Sequence, residues 1–112
     1  MTGYILVVVQ DPERLLHKIK VPPNLLVIKQ TSVRKAFQMA LHVIPAVVLT
    51  EHYLPDGEGL NLGLALKNHP CLQHVPIILL GMDDLLYHDQ SLGITRYLPA
   101  HARPSQINQV LR

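Results

Sequence analysis

One carboxylate stands out because of the segment that precedes it. The stretch Pro45–Gly59 begins with β-branched and other apolar residues, reaches Glu51, and then enters the turn sequence Pro55-Asp56-Gly57. A run this apolar is typical of a strand buried on both faces of a parallel sheet. Open α/β sheets hold their ligands beyond the carboxyl ends of such strands. Glu51 is therefore the first candidate for chemistry, either as a nucleophile, as a metal ligand or as a fixed negative charge.

The histidines and the single cysteine do not form a recognisable reactive group. His69 and His74 flank Cys71, but this spacing matches no standard zinc pattern and no second ligand pair occurs elsewhere. Cys71 lacks an evident base with an orienting partner. His52, next to Glu51, is expected at the surface, where it is a pH-sensitive neighbour at most. We predict no catalytic residue and no metal site.

The elements that must position Glu51 can be read from the apolar pattern. Strands are predicted at Ile5–Val9, Leu25–Ile28, Ala46–Thr50, Val75–Leu80 and Thr95–Leu98. Helices are predicted after Asp11, after Thr31 or Ser32 with apolar positions through Ile44, and at Glu58–Asn68, Asp83–Ser91 and Arg103–Arg112. Alternating buried strands and helices predict an α/β, doubly wound, five-stranded parallel sheet, with the flavodoxin-like order 2-1-3-4-5 favoured. No glycine-rich phosphate loop follows the first strand, so no cofactor is predicted.

Length and composition limit the classes of protein that remain. The chain has 112 residues, which fits one domain over 1–112. Only 16% of residues are charged, against roughly 25% in ordinary globular proteins, so the chain is expected to share a face with a partner. Scattered basic residues and the short apolar runs argue against direct nucleic-acid binding and against a membrane span. The single cysteine fits a cytoplasmic protein, and the short last helix fits a piece of a longer polypeptide.

Three segments together carry a family resemblance. Ile5–Glu13 resembles a first strand with its acidic loop, Pro45–Gly59 a strand that bears a phosphorylated aspartate, and Gly93–Pro104 a closing strand with its Lys-Pro turn. In this order and spacing they are similar to the receiver domain of two-component response regulators, over essentially the whole chain. The resemblance implies the flavodoxin-like fold and a role in signal transduction.

The same resemblance implies which residues should transfer a phosphoryl group, and most of them are replaced. The family needs an aspartate nucleophile, an acid pair for Mg²⁺, a hydroxyl and a lysine, because the transition state concentrates negative charge. Here Glu51 occupies the nucleophile position, and Val9 and Gln10 replace the acid pair beside the retained Asp11. Gly81 occupies the hydroxyl position and Ala100 the lysine position. The chain is thus similar to a pseudo-receiver that keeps the fold without the phosphorylation.

The resemblance also implies a protein-contact face formed by the fourth helix, the fifth strand and the fifth helix. Its expected members are Leu85, Leu86, Tyr87, Tyr97 and Arg103. The implied partner is a protein: a histidine kinase, a regulator, another domain of a larger signalling protein, or a second copy of the chain. For Tyr97 itself, core packing is the favoured role and an interface anchor is the alternative.

Two other functions stay open at this point. One is sensing of a small apolar ligand, as quinone-binding pseudo-receivers do. The other is an atypical phosphoacceptor that works through Glu51. Two roles are open for Glu51 itself. It is either a fixed negative charge that resembles the phosphorylated state, or a solvated carboxylate at the end of a strand that no partner recognises.

Overall fold

A computed structural model describes residues 3–81, 94–99 and 102–111. The strands are β1 (Gly3–Val8), β2 (Leu25–Gln30), β3 (Val47–Glu51), β4 (Tyr53–Leu54), β5 (Gly57–Glu58), β6 (Ile77–Leu80) and β7 (Arg96–Leu98). The helices are α1 (Pro12–Leu16), α2 (Val33–His42), α3 (Gly59–Lys67) and α4 (Pro104–Leu111). The predicted helix over Asp83–Ser91 lies outside the described residues.

Five strands form one parallel sheet in the order β2-β1-β3-β6-β7, and β4 and β5 form a separate two-stranded hairpin. Counted along the chain without the hairpin, this is the order 2-1-3-4-5, so the predicted flavodoxin-like fold is confirmed. In the register of the sheet, Val8 is paired with Thr50, Glu51 with Leu80 and Leu80 with Leu98. The carboxyl ends of the central strands therefore meet at one edge of the sheet.

The two faces of the sheet are buried under different helices. Side chains of a strand alternate between faces, and β1 shows this directly. Leu6 and Val8 belong to a core cluster that includes residues of α2 and α3, whereas Ile5 and Val7 pack in a second cluster with residues of α1 and α4. Both faces are apolar, which explains why the strand sequences read as continuous apolar runs.

The helix starts follow the predicted capping residues. The side chain of Asp11 accepts a hydrogen bond from the Arg14 N–H at the start of α1, and Ser32 accepts one from the Lys35 N–H at the start of α2. The predicted apolar side of α2 is wrong at its end: Leu41 is 45% exposed and Ile44 is 55% exposed. Leu41 lies about 100° around the helix from Ala40, so the two side chains face different directions. Ile44 lies beyond the end of α2 at His42.

The hairpin of β4 and β5 was not predicted. It follows β3 in the chain and forms hydrogen bonds to the start of α2. Asp56, in its turn, accepts hydrogen bonds from the Ser32 hydroxyl at 2.7 Å, the Val33 N–H at 2.8 Å and the Arg34 N–H at 3.3 Å. These bonds, the one from Ser32 foremost, lower the pKa of Asp56 from 3.8 to about 2. Asp56 thus caps α2 from outside the helix and fixes the segment that follows Glu51.

We expect Asp56 to make folding stability sensitive to acid. Because its pKa is lower in the folded state, its contribution is complete above pH 3.8 and disappears as the pH falls towards about 2. Asp56→Asn should lose stability at neutral pH and should lose less than the wild type on acidification. NMR titration of the Asp56 carboxyl group measures the effect directly. Ser32→Ala should raise this pKa towards its ordinary value, and an ordinary pKa in the wild type would contradict the capping role.

No helix within the described residues is long and apolar enough to cross a membrane.

Candidate functional site

The carboxyl edge of the sheet brings together five of the six residues at the positions where the family carries its phosphorylation residues. Val9, Gln10 and Asp11 follow β1, Glu51 ends β3, and Gly81 follows β6. They line one cavity of about 400 Å³. The other described residues that line it are Arg14, Leu15, Lys18, Leu80, Ala102, Pro104 and Ile107. Ala100, the predicted lysine position, lies outside the described residues.

Glu51 is held by the loop that follows β1. Its Oε1 atom accepts a hydrogen bond from the Gln10 backbone N–H at 2.5 Å. The Gln10 side chain in turn donates from Nε2 to the Tyr53 carbonyl oxygen at 2.9 Å. A backbone amide therefore holds one oxygen of the Glu51 carboxylate, and the Gln10 side chain connects the β1 loop to the hairpin.

Asp11, the one acid retained in this loop, serves the start of α1. Its Oδ1 atom accepts a hydrogen bond from the Arg14 N–H at 3.2 Å. Pro12 at the first helical position also favours a helix start here. One oxygen of Asp11 is thus used for capping, which was predictable from the sequence Asp11-Pro12.

These residues do not fit the Mg²⁺ ion that the family resemblance implies. Mg²⁺ prefers six oxygen ligands in octahedral geometry, with carboxylates among them. Val9 offers no ligand, and the carboxylates of Asp11 and Glu51 each already accept a backbone hydrogen bond. Among the described residues, no group of three or more His, Cys, Asp or Glu side chains is placed to hold a metal ion.

Gly81 has a backbone conformation that explains its residue type. Its φ angle is +103°, which lies in a backbone region that residues other than glycine seldom adopt. Its N–H donates to the Leu98 carbonyl oxygen at 2.8 Å, which joins the end of β6 to β7. The sequence shows that the expected hydroxyl is missing, but not that the backbone favours glycine here.

His52 is buried, and the expectation of a surface histidine is wrong. The residue is only 6% exposed, its Nε2 atom lies 3.1 Å from Glu58 Oε2, and its ring stacks edge-on against Tyr53. Its Nδ1 atom has no hydrogen-bond partner among the described residues. The His52 N–H donates to the Leu80 carbonyl oxygen, so strand pairing continues one residue past β3 and carries His52 inward.

Gly59 is a positioning residue that the sequence did not reveal. A Cβ atom at this position would overlap the Glu51 carbonyl oxygen, and it would lie 2.9 Å from Leu79 Cδ1 and from Thr50 Oγ1. The Gly59 N–H donates to the His52 carbonyl oxygen at 2.7 Å. The first turn of α3 therefore packs directly against the backbone of β3 beneath the Glu51 carboxylate.

The structure describes two of the five residues predicted for the contact face. Tyr97 packs against the core cluster that α2 and α3 cover, and Arg103 is exposed immediately before α4. A smaller cavity of about 240 Å³ lies between β7 and α4, lined by Arg96, Leu98, Gln106, Gln109 and Val110. Leu85, Leu86 and Tyr87 lie outside the described residues.

Comparison with known proteins points to one fold. No protein-family model matches the chain, and no curated protein matches it in sequence. Solved structures do match it over nearly its whole length. The chemotaxis response regulator CheY4 of Vibrio cholerae has a TM-score of 0.79 at 17% identity, over 99% of this chain and 97% of that one.

Two receiver domains of histidine kinases are also similar. The domain from Syntrophus aciditrophicus has a TM-score of 0.79 at 18% identity, over 98% of this chain and 87% of that one. The domain of the sensor kinase PA1611 from Pseudomonas aeruginosa, solved with a magnesium ion in its active-site cleft, has a TM-score of 0.77 at 19% identity, over 99% of this chain and 95% of that one. The chain therefore has the fold of a signalling receiver domain.

Proposed function

We propose that residues 1–112 form a pseudo-receiver, a domain that acts in bacterial two-component or related signalling by binding another protein and is not itself phosphorylated. The observation that carries this proposal is the hydrogen bond between the Glu51 carboxylate and the Gln10 backbone N–H. It occupies an oxygen of the candidate nucleophile with a backbone donor, on the loop where the family needs metal-binding acids.

Charge argues in the same direction. A carboxylate that attacks a phosphoryl group needs a metal ion and a cation to offset the negative charge of the transition state. Here Val9 and Gln10 supply no acid, Ala100 supplies no ammonium group and Gly81 no hydroxyl. Without these groups, an atypical phosphoacceptor at Glu51 is the weaker alternative.

A domain that is not switched by phosphorylation must act through its contacts. The low share of charged residues, 16%, favours a protein partner. Arg103 is exposed immediately before α4, and Arg96 and Val110 line the cavity between β7 and α4. Arginine and apolar side chains are typical of protein interfaces. The proposed partner is a histidine kinase, a regulator, another domain of a larger signalling protein or a second copy of the chain, in the cytoplasm.

Titration with Mg²⁺ tests whether the pocket has lost its metal. We expect no saturable change in the amide NMR signals of Gln10, Asp11 and Glu51 at millimolar Mg²⁺, because too few free carboxylate oxygens converge there. Gln10→Asp adds an acid to the loop and is the matched control, which should gain a Mg²⁺-dependent change. A saturable response of the wild type at these amides would contradict the proposal.

A second candidate function, sensing of a small molecule, is favoured by the cavity beside Glu51. Its volume of about 400 Å³ falls within the range of natural ligand pockets.

A further inference from the structure

The cavity at the carboxyl edge combines an apolar wall with charges of both signs. Among the described residues, Leu15 on α1, Leu80 on β6 and Ile107 on α4 contribute the apolar wall, and the charged side chains that line the cavity are Asp11, Arg14, Lys18 and Glu51. The side chains come from both helices of this face and from the end of the sheet. A molecule bound here would therefore bridge α1, β3 and α4.

The cavity lining that the structure describes contains two cationic side chains, Arg14 and Lys18. Within the part of the chain that the structure describes, neither the Arg14 guanidinium nor the Lys18 ammonium group forms an ion pair or a side-chain hydrogen bond. Arg14 lies on α1 and Lys18 lies in the turn that follows this helix, and both line the cavity. They offer up to eight N–H donors and no acceptor, which is the complement of a carboxylate.

The carboxylates of Glu51 and Asp11 each use one oxygen for a backbone hydrogen bond. Glu51 uses Oε1 for the Gln10 N–H, and Asp11 uses Oδ1 for the Arg14 N–H. The second oxygen of each group accepts no hydrogen bond from a described residue. These free oxygens are the complement of an ammonium group.

From this arrangement we infer that the cavity binds a small zwitterion with an apolar body, of the class of free aliphatic α-amino acids. The ligand carboxylate is held by Arg14 and Lys18, its ammonium group by Glu51 and Asp11, and its side chain packs against the apolar wall. A purely apolar ligand would leave charges desolvated without partners, and a simple anion would meet two carboxylates. The inference goes beyond the proposed function, because binding of such a ligand requires neither a protein partner nor the loss of phosphorylation.

The test uses the whole chain and three probes that share the leucine side chain: L-leucine, N-acetyl-L-leucine, which lacks the ammonium group, and L-leucinamide, which lacks the carboxylate. L-Leucine should cause saturable changes in the amide NMR signals of Leu15, Gly81 and Ile107. The two analogues, which each lack one charge, should bind at least about tenfold more weakly, because each loses charge-assisted hydrogen bonds to the site. Absence of saturable changes with L-leucine, or equal binding of either analogue, would overturn the inference.

Two double variants distinguish binding at Arg14 and Lys18 from a general effect of lowering the net positive charge. Arg14→Gln with Lys18→Gln should weaken L-leucine binding at least about tenfold, whereas Arg34→Gln with Lys35→Gln on α2 removes the same charge elsewhere and should leave it unchanged. The NMR spectra of the free variants report that each one is folded. Equal loss in both double variants, or no loss in the first, would refute the assignment of Arg14 and Lys18. Phosphorylation and partner binding are measured separately, so the proposed function stands or falls independently.

Discussion

Alanine at position 59 is expected to lower the free energy of unfolding by about 3 kcal/mol, the upper end of the usual cost of overpacking. The added Cβ would overlap the Glu51 carbonyl oxygen, which is part of the backbone of β3. A backbone atom cannot move aside by changing rotamer as a side chain does. The first turn of α3 must therefore separate from β3, and the Gly59 N–H to His52 carbonyl bond must weaken.

Urea denaturation of the variant measures this loss. Gly57→Ala is the matched control, because a Cβ at position 57 would meet Val33 Cγ2 at an ordinary distance of 3.6 Å. It should stay within about 1 kcal/mol of the wild type, as expected for a glycine replaced without a clash. If the two variants lose the same stability, the close approach of α3 to the Glu51 carbonyl group is wrong.

Restoring a hydroxyl at position 81 is the second change with a large expected effect. The φ angle of Gly81 is +103°, and a β-branched residue held in such a conformation costs about 1–3 kcal/mol. We expect Gly81→Thr to lose about 2 kcal/mol and to remain unmodified by small phosphodonors, because the metal-binding acids and the lysine are still missing.

Gly57→Thr provides the comparison for that substitution. Gly57 lies in β5 without a positive φ angle, so threonine fits its extended backbone. Its stability by urea denaturation should exceed that of Gly81→Thr by more than about 1 kcal/mol. A Gly81→Thr variant as stable as the wild type would mean that the backbone at position 81 does not require glycine.

The fold was predictable because its signals are local and repeated. Short apolar runs separated by capping residues fix the alternation of strands and helices, and right-handed crossovers leave few topologies for them. Asp11 and Ser32 show this at residue level, since each lies before its helix and caps it in the structure. The meeting of Gln10, Glu51 and Gly81 at one edge then follows from the parallel arrangement.

The features that sequence reasoning missed depend on contacts between distant segments. Asp56 caps α2 although 23 residues separate it from Val33, and nothing local indicates that bond. His52 is carried inward because strand pairing continues past Glu51. Gly59 reads as an ordinary turn residue until the backbone of β3 is placed beside it. In each case the deciding partner lies in another element.

The most direct test of the central claim is mass spectrometry of the intact protein after incubation with Mg²⁺ and acetyl phosphate, with an authentic receiver domain as the positive control. We expect no phosphoryl adduct on this chain, and no change in its amide NMR spectrum when beryllofluoride replaces the phosphodonor. Stoichiometric modification at Glu51 would contradict it.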